Sequence, residues 1–379
     1  MPLETPTYIW QQRDWPQWRY DLAALAAPLT QVAMAQGKLF GALSQVGLSV
    51  RERMEVDALT SDVLKTSAIE GEHFLPQSVR SSVARRLGVD VGGLMPADRS
   101  AEGVVDMVLD ATARCHTPLS EERIFGWHAA LFPTGYSGLQ TIHAGAWRKD
   151  EQGPMQVVSG RIGRQKVHFE APGAAQLPAQ MAQFVHWANT DVSHHPLIKA
   201  GLAHLWFVTL HPFEDGNGRI ARAVGDLFLA RADASEQRYY SLAAQIQRER
   251  EAYYQVLEQT QKGDMDVTVW LQWFLQAVHL AVAKALDSVG VSQQRNAYWS
   301  HFADVALNAR QQKVLNRLFE AFEGKLTTAK WAAMAKTSTD TALRDINALV
   351  DAGMLVKSPA GSRSSAYELP AEFAKPRHQ

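Results

Sequence analysis

Apolar residues recur every three to four positions over most of the chain, and this spacing predicts helices. The first such segment, residues 21–45, is rich in alanine and leucine. We predict further helices over segments with the same spacing, namely residues 50–68, 77–87, 101–113, 120–131, 177–189, 196–210, 218–232, 248–261 and 267–286. Residues 1–20 are aromatic and irregular, and we expect an extended arm or a short β element there.

The pattern changes in one stretch of the middle of the chain. Residues 155–158 and 166–169 are short, strand-like runs separated by a turn over 159–165. They predict a β-hairpin, which is the one clear β signal before the C-terminal region.

The C-terminal region has its own order of elements. After an expected linker at residues 289–294, we predict three helices and two strands, over residues 311–322, 330–335, 338–351, 354–356 and 366–369. Helices followed by two strands around a turn at 359–365 are typical of a winged helix. Basic and polar residues on the third helix and turn could contact DNA: Lys336, Thr337, Ser338, Thr339, Thr341, Arg344, Lys357 and Arg363. Asp340, Asp345 and Asp351 lie beside them, so protein contact is favoured over DNA binding.

Composition and charge narrow the possible classes of protein. The 379 residues carry 38 basic and 39 acidic side chains, and the net charge of −1 argues against general polyanion binding, although a local basic patch could form. A hydrophobic content of 46% excludes a disordered or fibrous chain. Cys115 is the single cysteine, so neither an internal disulfide nor a four-cysteine zinc site can form. Without a signal-peptide pattern or an apolar run of about 18 residues, we expect a cytoplasmic protein with no membrane span.

Residues 211–222, HPFEDGNGRIAR, place a glycine-rich polar loop between two apolar helical segments. Gly216 and Gly218 allow the backbone to come close to a ligand, and the free amides at the start of the second helix favour an anion such as phosphate. Arg219 and Arg222 are three residues apart on one helix face, so their guanidinium groups could hold two phosphates.

Two further side chains of this loop suit phosphate chemistry. Asp215 offers carboxylate oxygens where a phosphate-bound Mg²⁺ would sit. His211 ends the preceding helix, and its imidazole is available near pH 7 as a base. Each feature alone has an ordinary explanation, since a helix-end histidine is usually structural and Gly-Asn-Gly is usually a turn. Their combination in one short segment indicates nucleotide-dependent group transfer.

This segment resembles the signature of the Fic family, H-x-F-x-D/E-G-N-G-R-x-x-R, at every specified position. The likeness extends over roughly residues 100–275. Residues 144–148, AGAWR, are similar to a G-x-x/W-R element of the family. The predicted hairpin stands where the family has its target-docking flap. Residues 248–254 resemble the helix beside the family's adenine pocket. We therefore expect a mainly α fold: a Fic helical bundle with a β-hairpin flap, followed by the winged helix.

Fic proteins mostly transfer AMP from ATP to a hydroxyl of a protein side chain, and the resemblance assigns roles to residues of this chain. His211 would be the general base that deprotonates a target Ser, Thr or Tyr, and Asp215 would hold Mg²⁺. Arg219 and Arg222 would bind the β- and γ-phosphates of ATP. The remaining ATP-binding residues implied by the resemblance are Phe213, which seats the loop, Glu214, the anion hole of Gly216, Asn217 and Gly218, and the adenine-pocket residues Tyr253 and Tyr254.

The hairpin is the expected docking element for a target protein. An open strand edge can pair with an extended segment of a partner, and Lys166, Val167, His168 and Phe169 are our candidates for the face beside nucleotide and target. An ordinary surface hairpin remains the alternative.

A second motif lies upstream. Residues 66–71, TSAIEG, are similar to the family's inhibitory pattern, S/T-x-x-x-E-G/N. Thr66 and Glu70 share one helix face, and Gly71 would end the helix. In the family this glutamate pairs with the second motif arginine, here Arg222, and blocks the γ-phosphate site. The resemblance thus implies the class with an N-terminal inhibitory helix; a helix-terminal glutamate without a partner is the alternative.

We therefore predict three units: residues 1–95 as an accessory region with the inhibitory helix, 96–288 as the catalytic core and 300–379 as the winged helix. The first functional hypothesis is an autoinhibited protein adenylyltransferase that uses ATP and Mg²⁺, modifies a target protein and itself, and could also reverse the reaction. The alternative is an ATP-sensing transcriptional or toxin–antitoxin-type regulator that acts through the winged helix, against which the intact His211 argues. Transfer of phosphate, phosphocholine or UMP is a third possibility, and the complete signature favours AMP.

Other points stay open in the sequence. No P-loop or H-E-x-x-H motif is present, which excludes a P-loop kinase and argues against a zinc hydrolase of that type. The target protein and the choice among Ser, Thr and Tyr acceptors are not encoded in a motif. Family members often dimerise, so a homodimer is possible.

Overall fold

The computed structural model describes residues 6–93, 95–96, 98–151, 153–160, 164, 166–319, 322, 324–358 and 365–374. The chain divides into two compact units, residues 1–286 and 287–379. Helices dominate the described residues, which confirms the predicted mainly α class. The predicted division at residue 95 stays a prediction.

The first unit contains helices α1 to α10 and the start of α11. They are α1 (Leu22–Ser44), α2 (Leu48–Ile69), α3 (Pro76–Leu87), α4 (Arg99–Ala113), α5 (Glu121–Leu131), α6 (Leu177–Thr190), α7 (Pro196–Leu210), α8 (Asn217–Asp233), α9 (Leu242–Arg248), α10 (Arg250–Gln261) and α11 (Thr268–His301). Local chemistry fixes their ends: the Asp21 and Ser120 side chains accept hydrogen bonds from first-turn amides, and Gly88 ends α3 in the left-handed conformation.

Helices α7 and α8 form the centre of this unit and are buried along nearly their whole lengths. Helix α11 packs closely on α7, since Trp270 Nε1 donates to the Gly201 carbonyl at 2.8 Å. A Cβ on Gly201 would lie 2.9 Å from Leu271, so glycine is needed at this crossing. The loop between two such rigid helices is held in a fixed place, which suits a binding site.

By length and composition, α11 is the one helix among the described residues that could cross a membrane. Its Trp270, Leu271 and Phe274 are fully buried within the protein, and core helices of soluble proteins pass the same test.

Residues 289–294 were expected to be a linker, and this prediction was wrong: they continue α11. Gly290 is a lone glycine without a neighbouring proline, and it costs a helix only about 1 kcal/mol. Val289 and Tyr298 are fully buried, so packing offsets that cost.

The N-terminal arm is held by aromatic packing rather than by a sheet. Trp15 and Trp18 pack edge-on against Trp206 of α7, and Trp10 Nε1 donates to the Glu170 carbonyl at 2.7 Å. Neither expected form predominates: the described part of the arm contains a 3-10 helix (Ile9–Gln11), a turn over residues 13–16 and a β-bridge between Arg19 and Asp266.

The predicted hairpin is confirmed. Strands β3 (Gln156–Ser159) and β4 (Lys166–Glu170) pair antiparallel, with Val157 opposite Phe169; we call this hairpin the flap. Residues 161–163 and 165 of its predicted turn lie outside the described residues. A smaller hairpin of β1 (Tyr136–Ser137) and β2 (Gln140–Thr141) was not predicted, because two-residue strands show no alternation.

The second unit contains α12 (Ala309–Phe319), α13 (Thr328–Ala335) and α14 (Thr339–Asp351), with strands β5 (Leu326–Thr327), β6 (Val356–Lys357) and β7 (Ala366–Glu368). The strands form an antiparallel sheet in the order β5-β7-β6. Trp331, Ile346 and Tyr298 are buried in its core. The three helices and the terminal strand pair follow the predicted order, and the winged-helix assignment stays a prediction. Arg363 lies outside the described residues.

Candidate active site

The loop from His211 to Gly216 joins the two central helices. His211 ends α7 with φ +49°, in the left-handed region, and Gly216 precedes α8 with φ +79°. The Asn217 side chain ties the loop together, because Oδ1 accepts from the Phe213 amide at 2.9 Å and Nδ2 donates to the Phe213 carbonyl at 2.7 Å. Asn217 therefore shapes the loop with its side chain, and the first amides of α8 are free of helical acceptors.

Phe213 is fully buried and seats the loop, as expected. Its ring stacks on His128 of α5, with centroids 3.9 Å apart. His128 accepts a hydrogen bond from the Gly145 amide at Nδ1, and burial lowers its pKa to about 4, so the ring is neutral. No sequence pattern indicated this support, since a histidine within a helix usually has an ordinary structural role.

His211 is placed to act as a base. Nδ1 lies 3.2 Å from the Val208 carbonyl, which can only accept, so Nδ1 carries the proton and Nε2 keeps its lone pair. Burial lowers the pKa of His211 to about 4, although the hydrogen bond to the Val208 carbonyl opposes it. The charge of Arg148 also lowers this pKa, and Glu70 and Asp215 raise it. The imidazole is therefore neutral at pH 7.

The two acidic residues of the loop are held by the β1–β2 hairpin. The Asp215 carboxylate accepts hydrogen bonds from the Ser137 hydroxyl and, at 2.6 Å, from the Gly216 amide. Glu214 accepts from the amide of His143 at 2.7 Å and lies 2.9 Å from its Nδ1. Asp215 thus lines the cavity in a fixed orientation.

Arg222 and the end of α2 are joined by a compact set of contacts. The guanidinium donates to Glu70 Oε1 at 2.6 Å, to Thr66 Oγ1 at 2.7 Å and to the Thr66 carbonyl at 2.9 Å. A Cβ on Gly218 would collide with Glu70 Oε1, so the carboxylate sits directly against the start of α8. The structure brings the two upstream motif residues to the second motif arginine.

The other motif arginine is also paired. Arg219 Nη1 donates to Glu72 Oε2 at 2.7 Å. Arg219 is almost fully buried, whereas the Glu72 side chain is 44% exposed. This contact was missed from the sequence, because Glu72 lies just beyond the motif and carries no pattern of its own.

A cavity of about 1110 Å³ joins these elements. Its walls are the loop with His211, Glu70 and Arg222, the flap, and the segment from α9 into α10. The volume is large enough for a nucleotide with room beside it.

The four flap residues predicted to face the site differ in position. His168 and Phe169 line the cavity, whereas Val167 is 38% exposed and lies outside the lining, as does Lys166. His168 lies 2.6 Å from both Ser159 Oγ and Glu258, and hydrogen bonds from Lys262 and His168 lower the pKa of Glu258 to about 2. This network ties β4 to α10.

The two tyrosines expected beside adenine also differ. Tyr254 is partly exposed in the cavity wall, with Arg250 5.4 Å from its ring centre. Tyr253 is 1% exposed, and its hydroxyl lies 2.9 Å from His204 Nε2. Burial raises the pKa of Tyr253, so the phenol stays neutral. Both tyrosines line the cavity, and Tyr254 is the more exposed of the two.

Comparisons with known proteins fit this arrangement. The Fic/DOC family model matches residues 118–229, and a domain of unknown function, DUF4172, matches residues 8–89. The proteins named protein adenylyltransferase Fic from Drosophila mojavensis and Culex quinquefasciatus are each 36% identical over 96 residues, which is 25% of this chain and 18% of theirs. The match thus spans less than a fifth of those relatives.

Two solved structures share the fold. A Fic family protein from Desulfovibrio desulfuricans aligns over 92% of this chain and 96% of its own, with a TM-score of 0.51 and 21% identity. A Fic-domain signaling protein from Bacteroides thetaiotaomicron aligns over 68% of this chain and 96% of its own, with a TM-score of 0.51 and 18% identity. The fold is that of Fic-domain proteins. Within it, residues 118–229 are similar to the Fic/DOC family.

Proposed function

We propose that this protein transfers AMP from ATP to a hydroxyl side chain of a target protein and of itself, and that its resting form is autoinhibited. The observation that carries the proposal is the meeting, in one cavity, of a neutral histidine, the free amides at the start of α8 and a buried arginine. The matched relatives are named protein adenylyltransferases, which supports the choice of AMP as the transferred group.

In the proposed reaction, His211 Nε2 takes the proton of a target Ser, Thr or Tyr hydroxyl. The hydroxyl oxygen forms a bond to the α-phosphorus of ATP, and the bond from that phosphorus to the bridging oxygen of pyrophosphate breaks. The amides of α8, Arg219 and Arg222 bind the phosphates and stabilise the charge that develops on them. Glu70 could instead position a water whose oxygen bonds to the phosphorus of the attached AMP while the bond to the side-chain oxygen breaks, so hydrolytic removal of AMP belongs to the same proposal.

Asp215 suits a Mg²⁺ ion that arrives with the nucleotide. No group of three or more potential ligands is present among the described residues, so a site made by protein alone is not formed there. Mg²⁺ needs only one or two carboxylates when phosphates supply the other oxygens, and Asp215 lines the cavity in a fixed orientation. The ion would neutralise phosphate charge.

The inhibitory segment, residues 66–72, supports the proposed autoinhibition. Glu70 and Glu72 hold Arg222 and Arg219, the two side chains assigned to the β- and γ-phosphates. A carboxylate on each arginine competes directly with a phosphate oxygen for the same donors. ATP can bind productively only after the Glu70 contact is broken.

The partners are proposals as well. The exposed Val158 and Val167 on the flap favour docking of a target segment there. The second unit, if it is a winged helix, would bind a protein partner in preference to DNA. A homodimer would be one way to move the inhibitory segment.

The test is label transfer from ATP that carries the label at the α- or the γ-phosphate. Wild type, Glu70→Gly and Glu70→Gly with His211→Ala are incubated alone and with cell lysate. We expect α-label on protein that rises with Glu70→Gly and is lost with His211→Ala.

Other outcomes contradict the proposal in different ways. Transfer of γ-label would make the protein a phosphotransferase. Binding of ATP without transfer of either label would favour the regulator that acts through the second unit. Unchanged transfer by a folded Glu70→Gly variant would refute autoinhibition alone.

A further inference from the structure

Arg148, in the loop before the flap, is bound to the backbone of His211. Its Nε donates to the His211 carbonyl at 2.8 Å, and its own amide donates to the Pro212 carbonyl at 2.9 Å. The side chain is fully buried, and Asp150 is its ion-pair partner. A buried arginine with such specific acceptors holds the backbone that it contacts in one place.

The same guanidinium also reaches the other end of the flap. Arg148 Nη2 donates to the carbonyl of Pro172, which follows β4 closely. Asp150 completes the link, because its Oδ2 accepts from the Ala174 amide at 2.6 Å. Arg148 and Asp150 precede β3, so this pair joins both roots of the flap to His211.

The backbone conformation of His211 depends on its contacts, including the one with Arg148. The residue is held with φ +49°, a conformation that a non-glycine residue adopts only when its surroundings impose it. The Val208 contact fixes its ring, and Arg148 fixes its carbonyl. The direction of Nε2 relative to the flap therefore depends on Arg148 as well as on the Val208 contact.

We propose that Arg148 and Asp150 are positioning residues that set the distance between the base His211 and a target segment bound to the flap. The proposal rests on the proposed function. Arg148 does not line the cavity among the described residues, so it acts through His211 and the flap rather than on ATP. Its loss should lower the rate of transfer and leave ATP binding nearly intact.

Arg231 is a matched control on α8. Its guanidinium donates to the carbonyls of Cys115, Thr117 and Ala188, away from the cavity. Arg148→Met, Arg148→Lys, Asp150→Asn and Arg231→Met would be made in the Glu70→Gly background. Arg148→Lys and Asp150→Asn are milder changes that carry the test if Arg148→Met does not fold, since lysine keeps the charge but cannot bond three acceptors in one plane.

Transfer kinetics and hydrogen exchange would be measured on each variant. We expect the Arg148 and Asp150 variants to lower kcat about tenfold or more with the KM for ATP changed less than about threefold. We also expect faster amide exchange in peptides that cover the flap, and neither effect in Arg231→Met.

A rise in KM with unchanged kcat, or equal losses in Arg231→Met, would overturn the proposal. If the Glu70→Gly parent transfers no label, the proposed function fails. Hydrogen exchange then tests only whether Arg148 and Asp150 hold the flap. Unchanged flap exchange in every folded Arg148 and Asp150 variant would then refute it.

Discussion

Glu70 and Glu72 make similar ion pairs, but the structure predicts very different effects on activity. The Glu70–Arg222 pair is mostly buried, with side-chain exposures of 31% and 2%, and Glu70 also lies against Gly218. A hydrogen bond to a charged group of this kind contributes about 1.5–3 kcal/mol. The Glu72 side chain is 44% exposed, and pairs of that type contribute about 0.2–1 kcal/mol.

These free energies correspond to changes in the rate of AMP transfer when ATP is below saturation. Release of about 2 kcal/mol in Glu70→Gly would raise productive binding about 30-fold. Glu70→Gln keeps a neutral hydrogen bond of about half the strength, so we expect about fivefold. Glu72→Gln, at about 0.5 kcal/mol, should give only about twofold. Arg222 keeps its Thr66 contacts in every variant, so the phosphate site stays formed.

The assay is the initial rate of α-label transfer, with equilibrium binding of ATP measured in parallel. Glu102→Gln, which breaks a pair with Arg86 of intermediate exposure and far from the cavity, is the matched control and should change nothing. If Glu72→Gln activates as strongly as Glu70→Gly, the reasoning from burial is wrong. If neither activates, the ion pairs do not control access of ATP.

Three further predictions follow from the same geometry. Because the pKa of His211 is lowered to about 4, its base form persists from about pH 8 down to about pH 5. The transfer rate of Glu70→Gly should therefore not fall to half its maximum near pH 6.5, the ordinary pKa of histidine. A half-maximum at that pH would refute the assignment of His211 as the base. Asp215→Asn should lower transfer at least about 100-fold at low Mg²⁺, with partial recovery as Mg²⁺ is raised, whereas full activity at low Mg²⁺ would show that another group holds the ion. Gly103→Ala would drive a Cβ into the Ala130 carbonyl between α4 and α5 and should lower the free energy of unfolding by about 1–3 kcal/mol. Gly126→Ala has open space in α5 and should raise it by about 0.5–1 kcal/mol. Melting temperatures that move in the same direction in both variants would contradict this prediction.

Local features of the fold and of the candidate site could be predicted from the sequence. Caps such as Ser120 and the left-handed Gly88 mark helix ends through chemistry that spans only a few residues. The segment 211–222 carries its histidine, glycines and arginines close together in sequence, from the end of α7 into the second turn of α8. Features of this kind depend on residues close together in the chain, so they can be predicted without a structure.

Apart from the Glu70–Arg222 pair, which the family resemblance implied, contacts between distant segments were not predicted from the sequence. Arg148 reaches His211 across 63 positions, and Glu72 reaches Arg219 across 147. Tyr253 lines the cavity, but the contact of its hydroxyl with the buried His204 was not predicted, since helical spacing alone does not say which neighbour a side chain meets. The supposed linker at 289–294 shows the same limit, because burial of Val289 outweighs the effect of a single glycine.

The most direct test of the central claim is peptide mass spectrometry of protein from the Glu70→Gly reaction with ATP. The account predicts an AMP adduct on a serine, threonine or tyrosine hydroxyl, and its absence when His211→Ala is added to a folded Glu70→Gly protein. An adduct that forms equally without His211 would contradict the assigned base. A phosphoryl group in place of AMP would contradict the proposed reaction.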